Sequence, residues 1–149
     1  MALAGVDRPT IDALEPGQEV FESAKVVKRE DVKAYADASG DQNPLHQDDD
    51  FARSVGFPGI IAQGMFSLAH LMKALKDWLG NPSDLRSVRV QFRAVVYMDE
   101  TLVAKGRVAS TDPSTGEVTL DVWAEIERDG ETVYPIKNST AVVSLAEPR

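Results

Sequence analysis

The run from Ile60 to Leu79 constrains the fold of this 149-residue chain more than any other segment, because it is the most apolar part of the sequence. On a helix its apolar side chains cover more than half of the circumference, and the polar side chains of Gln63, Ser67 and His70 share one narrow stripe. A helix this apolar is buried, and its length suits a core helix rather than a membrane span. We predict one long helix over 60–79, enclosed by the rest of the chain.

The residues that follow Pro82 change to a period of two, which is typical of half-buried strands. The turn signals at Asp112–Gly116 and Asp129–Gly130 separate the later strands. We predict an α+β fold in which an antiparallel sheet curls around the long helix. The strands after the helix should pair consecutively, with their even-numbered side chains facing it. Strands are predicted at 19–27, 88–96, 102–108, 118–126 and 131–145.

Two short helices are predicted between the first strand and the long helix. The first begins near Arg29 and ends at Gly40, and the second follows Asp48, whose side chain suits an N-cap. Residues 1–18 contain prolines that break any regular element, so we predict an irregular arm there. Because no linker interrupts the pattern, residues 1–149 are predicted to form a single domain.

Composition excludes several classes of protein. The chain has no cysteine, which excludes disulfides, thiol nucleophiles and zinc–thiolate sites. Its 24 acidic and 16 basic residues give a net charge of -8, which argues against a nucleic-acid partner. No metal-ligand spacing is present, so no metal is expected. Neither a signal peptide nor a stretch of ~18 apolar residues is apparent, so we expect a cytoplasmic protein without a membrane partner.

One short loop brings a carboxylate and an imidazole together. Asp41 and His46 flank Asn43 and Pro44, and the proline keeps the segment out of a helix. Two interpretations stay open on these residues alone. The loop is a simple connection, because Asp, Asn and Pro favour turns. Alternatively, Asp41 and His46 hold one water molecule between them and share acid–base work, for which histidine is the side chain most often used.

The sequence around this loop resembles the hydratase motif of MaoC-like proteins, which include (R)-specific enoyl-CoA hydratases and 3-hydroxyacyl-acyl-carrier-protein dehydratases. The strand pattern is compatible with that family over nearly the whole chain. The resemblance implies a hot-dog fold, an antiparallel sheet wrapped around a long central helix and commonly dimerised through the sheets. The motif comprises Tyr35–His46, Phe51-Ala52, Gly56-Phe57 and Ile61–Met65.

The resemblance also implies a hydro-lyase that reversibly hydrates trans-2-enoyl thioesters to (R)-3-hydroxyacyl thioesters. No cofactor is implied beyond the coenzyme A or phosphopantetheine that carries the substrate. Asp41 and His46 match the catalytic pair of the family, and Asn43 matches the asparagine that shapes its loop. Gly64 matches the glycine whose amide donates to the oxyanion. Gln63 stands where the family usually has His, and we expect it to support the site, because Gln also donates and accepts hydrogen bonds.

We expect an independent hydratase that forms a homodimer, and two alternatives stay open. The first is that the chain is one subunit of a heteromeric dehydratase that needs another hot-dog protomer. A hot-dog thioesterase is a less favoured alternative, because such enzymes usually carry a catalytic carboxylate on the central helix, and here that helix has none before Asp77. The acyl chain length, the carrier, the physiological direction and the first proton acceptor of the pair are not fixed by the sequence.

Overall fold

The computed structural model describes residues 8–146, and the described chain forms one five-stranded antiparallel sheet packed against a long helix. The strand order is β1-β3-β4-β5-β2. The predicted α+β architecture is confirmed. The strands are β1 (Glu19–Val26), β2 (Leu85–Arg89), β3 (Thr101–Asp112), β4 (Glu117–Arg128) and β5 (Glu131–Ser144), and the helices are α1 (Arg29–Ser39), α2 (Asp49–Ser54) and α3 (Gly64–Leu79).

The predicted irregular arm lies partly outside the described residues, since nothing before Arg8 is described. Residues 8–18 contain one 3₁₀ turn, Ile11–Ala13, and then join the sheet. Gly17 donates its N–H to the carbonyl of Val108, and the amide of Val108 donates to Gln18. Within the described chain no helix is both long enough and apolar enough to cross a bilayer.

The core lies between α3 and the inner face of the sheet. Leu71, Leu75 and Leu79 of α3 are almost completely buried, and they are spaced so that they share one helical face. Burying a leucine stabilises the fold by roughly 1.5–3 kcal/mol. Strands β3 and β4 direct their even-numbered residues inward, as predicted. These buried residues are Leu102, Ala104, Val108, Val118, Leu120, Val122, Ala124 and Ile126.

The prediction of even-numbered inward residues is wrong for β1 and for most of β5, in which Ile136 is the one even-numbered residue that is buried. Phe21 of β1 lies opposite Gly106, so register places odd residues of β1 on the inner face. In β5, Val122 faces Ser139 whereas Ala124 faces Ile136, so one extra residue is inserted in β5. Asn138, with φ 52°, lies in this bulge, and the residues that follow it change faces.

Two predicted elements have different bounds in the structure. The long helix begins at Gly64 rather than Ile60, because the preceding segment is extended: Ile61 bridges to Tyr97 and the amide of Ala62 donates to Val96. The strand predicted at 88–96 is β2, which ends at Arg89. It pairs with β5, so the consecutive pairing predicted after the helix is wrong for this strand.

The two short helices end and begin as predicted. α1 stops at Gly40, which adopts the left-handed conformation at φ 79° and donates its N–H to Ala36. The side chain of Asp48 accepts the amide of Phe51 and caps α2. These two ends matter for function, because the loop between them carries Asp41 and His46.

Gly106 permits the close approach of β1 to β3, and we expect its replacement to destabilise the fold. A Cβ at this position would overlap Cε1 of Phe21 and would lie 2.7 Å from its Cζ. The Phe21 ring rests on Trp78, with 6.4 Å between ring centroids, so it cannot retreat without losing that contact. Gly106→Ala should lower the free energy of unfolding by about 1–3 kcal/mol, measured by urea denaturation. An unchanged midpoint would mean that Phe21 moves aside at no cost.

Candidate active site

The loop after α1 is shaped by its own side chains. The carboxylate Oδ1 of Asp41 accepts the N–H of Asn43 at 3.2 Å. The side-chain oxygen of Asn43 in turn accepts the N–H of Leu45 at 3.0 Å and caps the 3₁₀ turn Pro44–His46. Both bonds are the local turns that Asp and Asn side chains favour. They orient the loop so that Asp41 and His46 face each other.

His46 is held from the side opposite to Asp41. Its Nδ1 lies 2.7 Å from the carbonyl oxygen of Ile61. The amide of Ile61 donates to the carbonyl of Leu45 at 3.0 Å, so the loop and the segment before α3 are joined twice. A carbonyl oxygen only accepts hydrogen bonds, so Nδ1 carries the proton. In the neutral imidazole, Nε2 therefore has a free lone pair.

The Nε2 atom of His46 lies 3.8 Å from Oδ2 of Asp41. This distance is too long for a direct hydrogen bond, and two acceptors would not bond each other. A water molecule placed beside the pair, at ~2.8 Å from each atom, would donate to both. The imidazole is 11% exposed and the carboxylate 45% exposed, so the pair lies where solvent meets the protein interior.

Gly64 is the first residue of α3, and its N–H points out of the helix end. Within residues 8–146 no acceptor receives this N–H. The free amides and the helix dipole favour negative charge at this end. Gly64 follows Ile61 closely in the chain, so its amide is at most about 10 Å from the carbonyl that holds His46. The chain connection therefore keeps this amide in the neighbourhood of the His46 imidazole.

Gln63 is buried, being only 2% exposed, and joins α3 to α1. Its Nε2 donates to the carbonyl of Val32 at 3.1 Å. Its Oε1 is also buried and accepts no hydrogen bond from the described residues. The side chain therefore ties the beginning of α3 to the helix that precedes Asp41. This geometry agrees with a supporting role, which stays a prediction.

Arg128, which was not predicted to have a structural role, holds residues 95–100 in place. The Arg128 guanidinium donates to the Glu100 carboxylate at 2.6 and 2.9 Å and to the carbonyl of Val95 at 3.1 Å. It also lies 4.1 Å from the ring centroid of Tyr97, the residue that bridges to Ile61. Glu100 raises the pKa of Arg128 above its ordinary value. Glu100 and Arg128 are far apart in the sequence, and nothing in the sequence distinguishes either of them from an ordinary surface charge.

Asp49 links α2 to the segment before α3. Its Oδ1 accepts the N–H of Ile60 at 3.0 Å, and its Oδ2 pairs with Arg29 at 2.6 Å. The Ile60 amide and, to a lesser extent, Arg29 hold the pKa of Asp49 below its ordinary value of 3.8. The charged carboxylate is therefore the form that stabilises this junction.

Replacing Asp49 should therefore give a pH-dependent loss of stability. Because the pKa is lower in the folded state, the stabilisation is present above the ordinary pKa and is lost as the pH falls through the folded value. Asp49→Asn should unfold at lower urea concentration than wild type at about pH 7, and the difference should shrink below about pH 4. A difference that stays constant with pH would mean that the charge contributes nothing.

Neither a metal-binding cluster nor a second catalytic histidine is found near Asp41 and His46 among the described residues. Within residues 8–146 no group of three or more His, Asp and Glu side chains is placed to hold a metal ion. His70 lies on α3, and its Nε2 is 2.8 Å from the carbonyl of Ser23 in β1. The second histidine of the chain thus joins a helix to the sheet.

The sequence is similar to known proteins over most of its length. Residues 13–126 match the family described as MaoC like domain. The (R)-specific enoyl-CoA hydratase of Rhodospirillum rubrum is 30% identical over 118 residues, which cover 76% of this chain and 82% of that protein. The peroxisomal enoyl-CoA hydratase 2 of Arabidopsis thaliana is 36% identical over 69 residues, and the chain covers only 22% of its length.

Solved structures show the same fold. The R-hydratase PhaJ1 of Pseudomonas aeruginosa superposes with a TM-score of 0.78 at 24% identity, over 93% of this chain and 86% of that one. A chain of the ChsH1–ChsH2 complex of Mycobacterium tuberculosis superposes with a TM-score of 0.75 at 19% identity, over 89% of this chain and 98% of that one. The predicted hot-dog fold is confirmed by these likenesses.

Proposed function

The chain belongs to the MaoC-like dehydratase family, a family of enzymes, and we propose that it reversibly adds water to trans-2-enoyl thioesters to form (R)-3-hydroxyacyl thioesters. One observation carries this proposal: Nε2 of His46 lies 3.8 Å from Oδ2 of Asp41 while Nδ1 faces the carbonyl of Ile61, so that one water molecule beside the pair can contact both Nε2 and the carboxylate. The (R) configuration is supported by the name of the Rhodospirillum rubrum relative.

In the proposed reaction His46 first accepts a proton from water and then donates it to the substrate. Nε2 takes a proton from the water as the water oxygen bonds to C3 of the enoyl group. The electron pair of the C2–C3 double bond moves toward the thioester oxygen, and the imidazolium formed lies beside the Asp41 carboxylate. The imidazolium then returns the proton to C2. One water is consumed, and His46 ends in its starting form.

The amide of Gly64 is proposed to bind the thioester oxygen while negative charge develops on it. A donor that is already oriented toward this charge stabilises the enolate-like state without reorganisation. The absence of a side chain allows the thioester to approach the backbone, although the neighbouring Phe92 limits the space on one side.

The proposed reaction changes no net oxidation state, so it needs no redox group, and the acid–base work is done by this chain's own side chains. We propose coenzyme A as the carrier rather than an acyl carrier protein. The chain carries a net charge of -8, which disfavours the approach of an acidic carrier protein. Coenzyme A is also anionic because of its phosphates, but it is small and meets only the charges close to the site.

We further propose that the chain forms a homodimer. Strand β2 is short and lies at one end of the sheet, where its outer edge has no partner strand among the described residues. The solved ChsH1–ChsH2 complex is a heteromeric assembly of this fold. Gel filtration with light scattering should give the mass of two chains. A monomer would contradict the homodimer and favour a requirement for a different subunit.

The function is tested with the purified chain and crotonyl-CoA. Hydration removes the conjugated enoyl thioester, so its ultraviolet absorbance should fall while the thioester stays intact. The product should be (R)-3-hydroxybutyryl-CoA by chiral chromatography, and treatment with a chelator should leave the rate unchanged. Release of free thiol without loss of the double bond would instead indicate a thioesterase. Activity only after addition of another hot-dog protein would indicate a heteromeric subunit.

A further inference from the structure

Phe92 lies over the beginning of α3 rather than in the core. The alternation of 88–96 predicts that it faces inward, yet its side chain is 49% exposed. A Cβ built on Gly64 would lie 3.3 Å from Cδ1, 3.5 Å from Cε1 and 3.7 Å from Cγ of Phe92. One side of the ring therefore packs on Gly64, and the other side is open to solvent.

The main chain on both sides of Phe92 holds the ring in this place. The amide of Gln91 donates to the Ser139 hydroxyl at 3.0 Å, and the amide of Arg93 donates to the carbonyl of Pro135 at 2.8 Å. Phe92 itself forms a β-bridge with Ile136. The main chain at Phe92 is thus fixed on β5 by hydrogen bonds on both sides, and its position does not depend on burial of the ring.

The ring lies on the side of Gly64 where a bound carbonyl would be. In a helix the Cα–Cβ direction tilts toward the N-terminus, and the N–H of the first residue points the same way. A ring that meets the Cβ direction of Gly64 therefore flanks any group that accepts from its amide. In the proposed reaction this group is the thioester oxygen, and C2 of the acyl chain is two bonds from it.

We propose, on the basis of the function proposed above, that Phe92 is a specificity-determining residue. Its ring forms an apolar wall beside the thioester carbonyl and C2, so that a methyl branch at C2 would meet the ring. The acyl chain is the occupant that fits the exposed side of the ring, because it is apolar and is attached directly to the carbonyl that the Gly64 amide would bind.

The proposal is tested by comparing crotonyl-CoA with 2-methylcrotonyl-CoA. Phe92→Ala should raise the ratio of kcat/KM for the methylated over the plain substrate at least tenfold, which is the lower end of what one methyl group is worth in an apolar pocket. Phe92→Leu should raise it less. Val26→Ala, which shortens another exposed apolar side chain at the end of β1, should keep the wild-type ratio. An unchanged ratio in both Phe92 variants would overturn the proposal.

A binding experiment separates this inference from the proposed reaction. Affinities for butyryl-CoA and 2-methylbutyryl-CoA are measured by calorimetry, which requires no turnover. Suppose that wild type does not hydrate crotonyl-CoA but Phe92→Ala still shifts the affinity ratio toward the branched ligand. The proposed reaction is then wrong, whereas the proposed role of Phe92 is supported. If wild type binds neither acyl-CoA, or if Phe92→Ala leaves the affinity ratio unchanged, the wall is wrong.

The alternative occupant is a second copy of this chain. Light scattering on wild type and Phe92→Ala distinguishes it, because a ring buried between two copies would reduce the oligomer mass when truncated. A lower mass together with equal losses for both substrates would overturn the proposal. The same mass with a changed substrate ratio supports it. If Phe92→Ala does not fold, as judged by circular dichroism, Phe92→Leu supplies the substrate and affinity ratios.

Discussion

Asp41→Asn and His46→Gln should each lower kcat for crotonyl-CoA hydration by about 10³–10⁴-fold, the upper part of the range for acid–base groups. His46→Gln removes the lone pair that takes the proton from water, whereas Gln retains hydrogen-bonding capacity toward Ile61. Asp41→Asn removes the charge that stabilises the imidazolium and replaces one water acceptor by an NH₂ group. Steady-state kinetics on the folded variants measures both effects.

Matched controls come from the same chain. His70→Gln changes the other histidine, which joins α3 to Ser23, and Asp77→Asn changes an exposed carboxylate of α3 that pairs with Lys73. Both controls should keep kcat close to that of wild type. Because Asp41 and His46 act on one water, the double variant should be little slower than the slower single variant. Full activity in either single variant would refute the assignment of that residue.

Sequence periodicity predicts this fold well where each element is defined by its own residues. α3 and the alternating segments of β3 and β4 are examples, because an amphipathic pattern states directly which side chains avoid water. The bulge at Asn138 and the pairing of β2 with β5 depend on residues far apart in the chain. Nothing local in 88–96 reveals that the strand stops at Arg89.

Part of the candidate site could likewise be predicted from the sequence, and part of it depends on contacts made only in the fold. Asp41, Asn43 and His46 lie in one short loop, so their side chains could be grouped from the sequence alone. The partner that selects the His46 tautomer is the main-chain carbonyl of Ile61, and a carbonyl carries no residue signature. Phe92 could not be assigned from its alternation, because that pattern is the one expected of a core residue.

Gly64→Pro should abolish most of the activity without weakening α3. Proline is favoured at the first position of a helix, where its missing N–H has no intrahelical partner. The preceding residue, Gln63, has φ -60° and ψ 143°, which is the extended conformation that proline requires before it. The substitution thus removes one donor from the proposed oxyanion site and leaves the helix with its normal hydrogen bonds.

Gly64→Ala is the control that isolates the missing N–H. Both variants add a Cβ that lies about 3.3 Å from the Phe92 ring, so both displace that ring by a few tenths of an ångström. Only the proline variant loses the amide proton, and it should have a kcat ~10²–10³-fold below that of Gly64→Ala. The affinity for butyryl-CoA should differ less than kcat, because the charge on the oxygen develops only during the reaction. Equal kcat values in the two variants would mean that a donor other than the Gly64 amide stabilises the oxyanion.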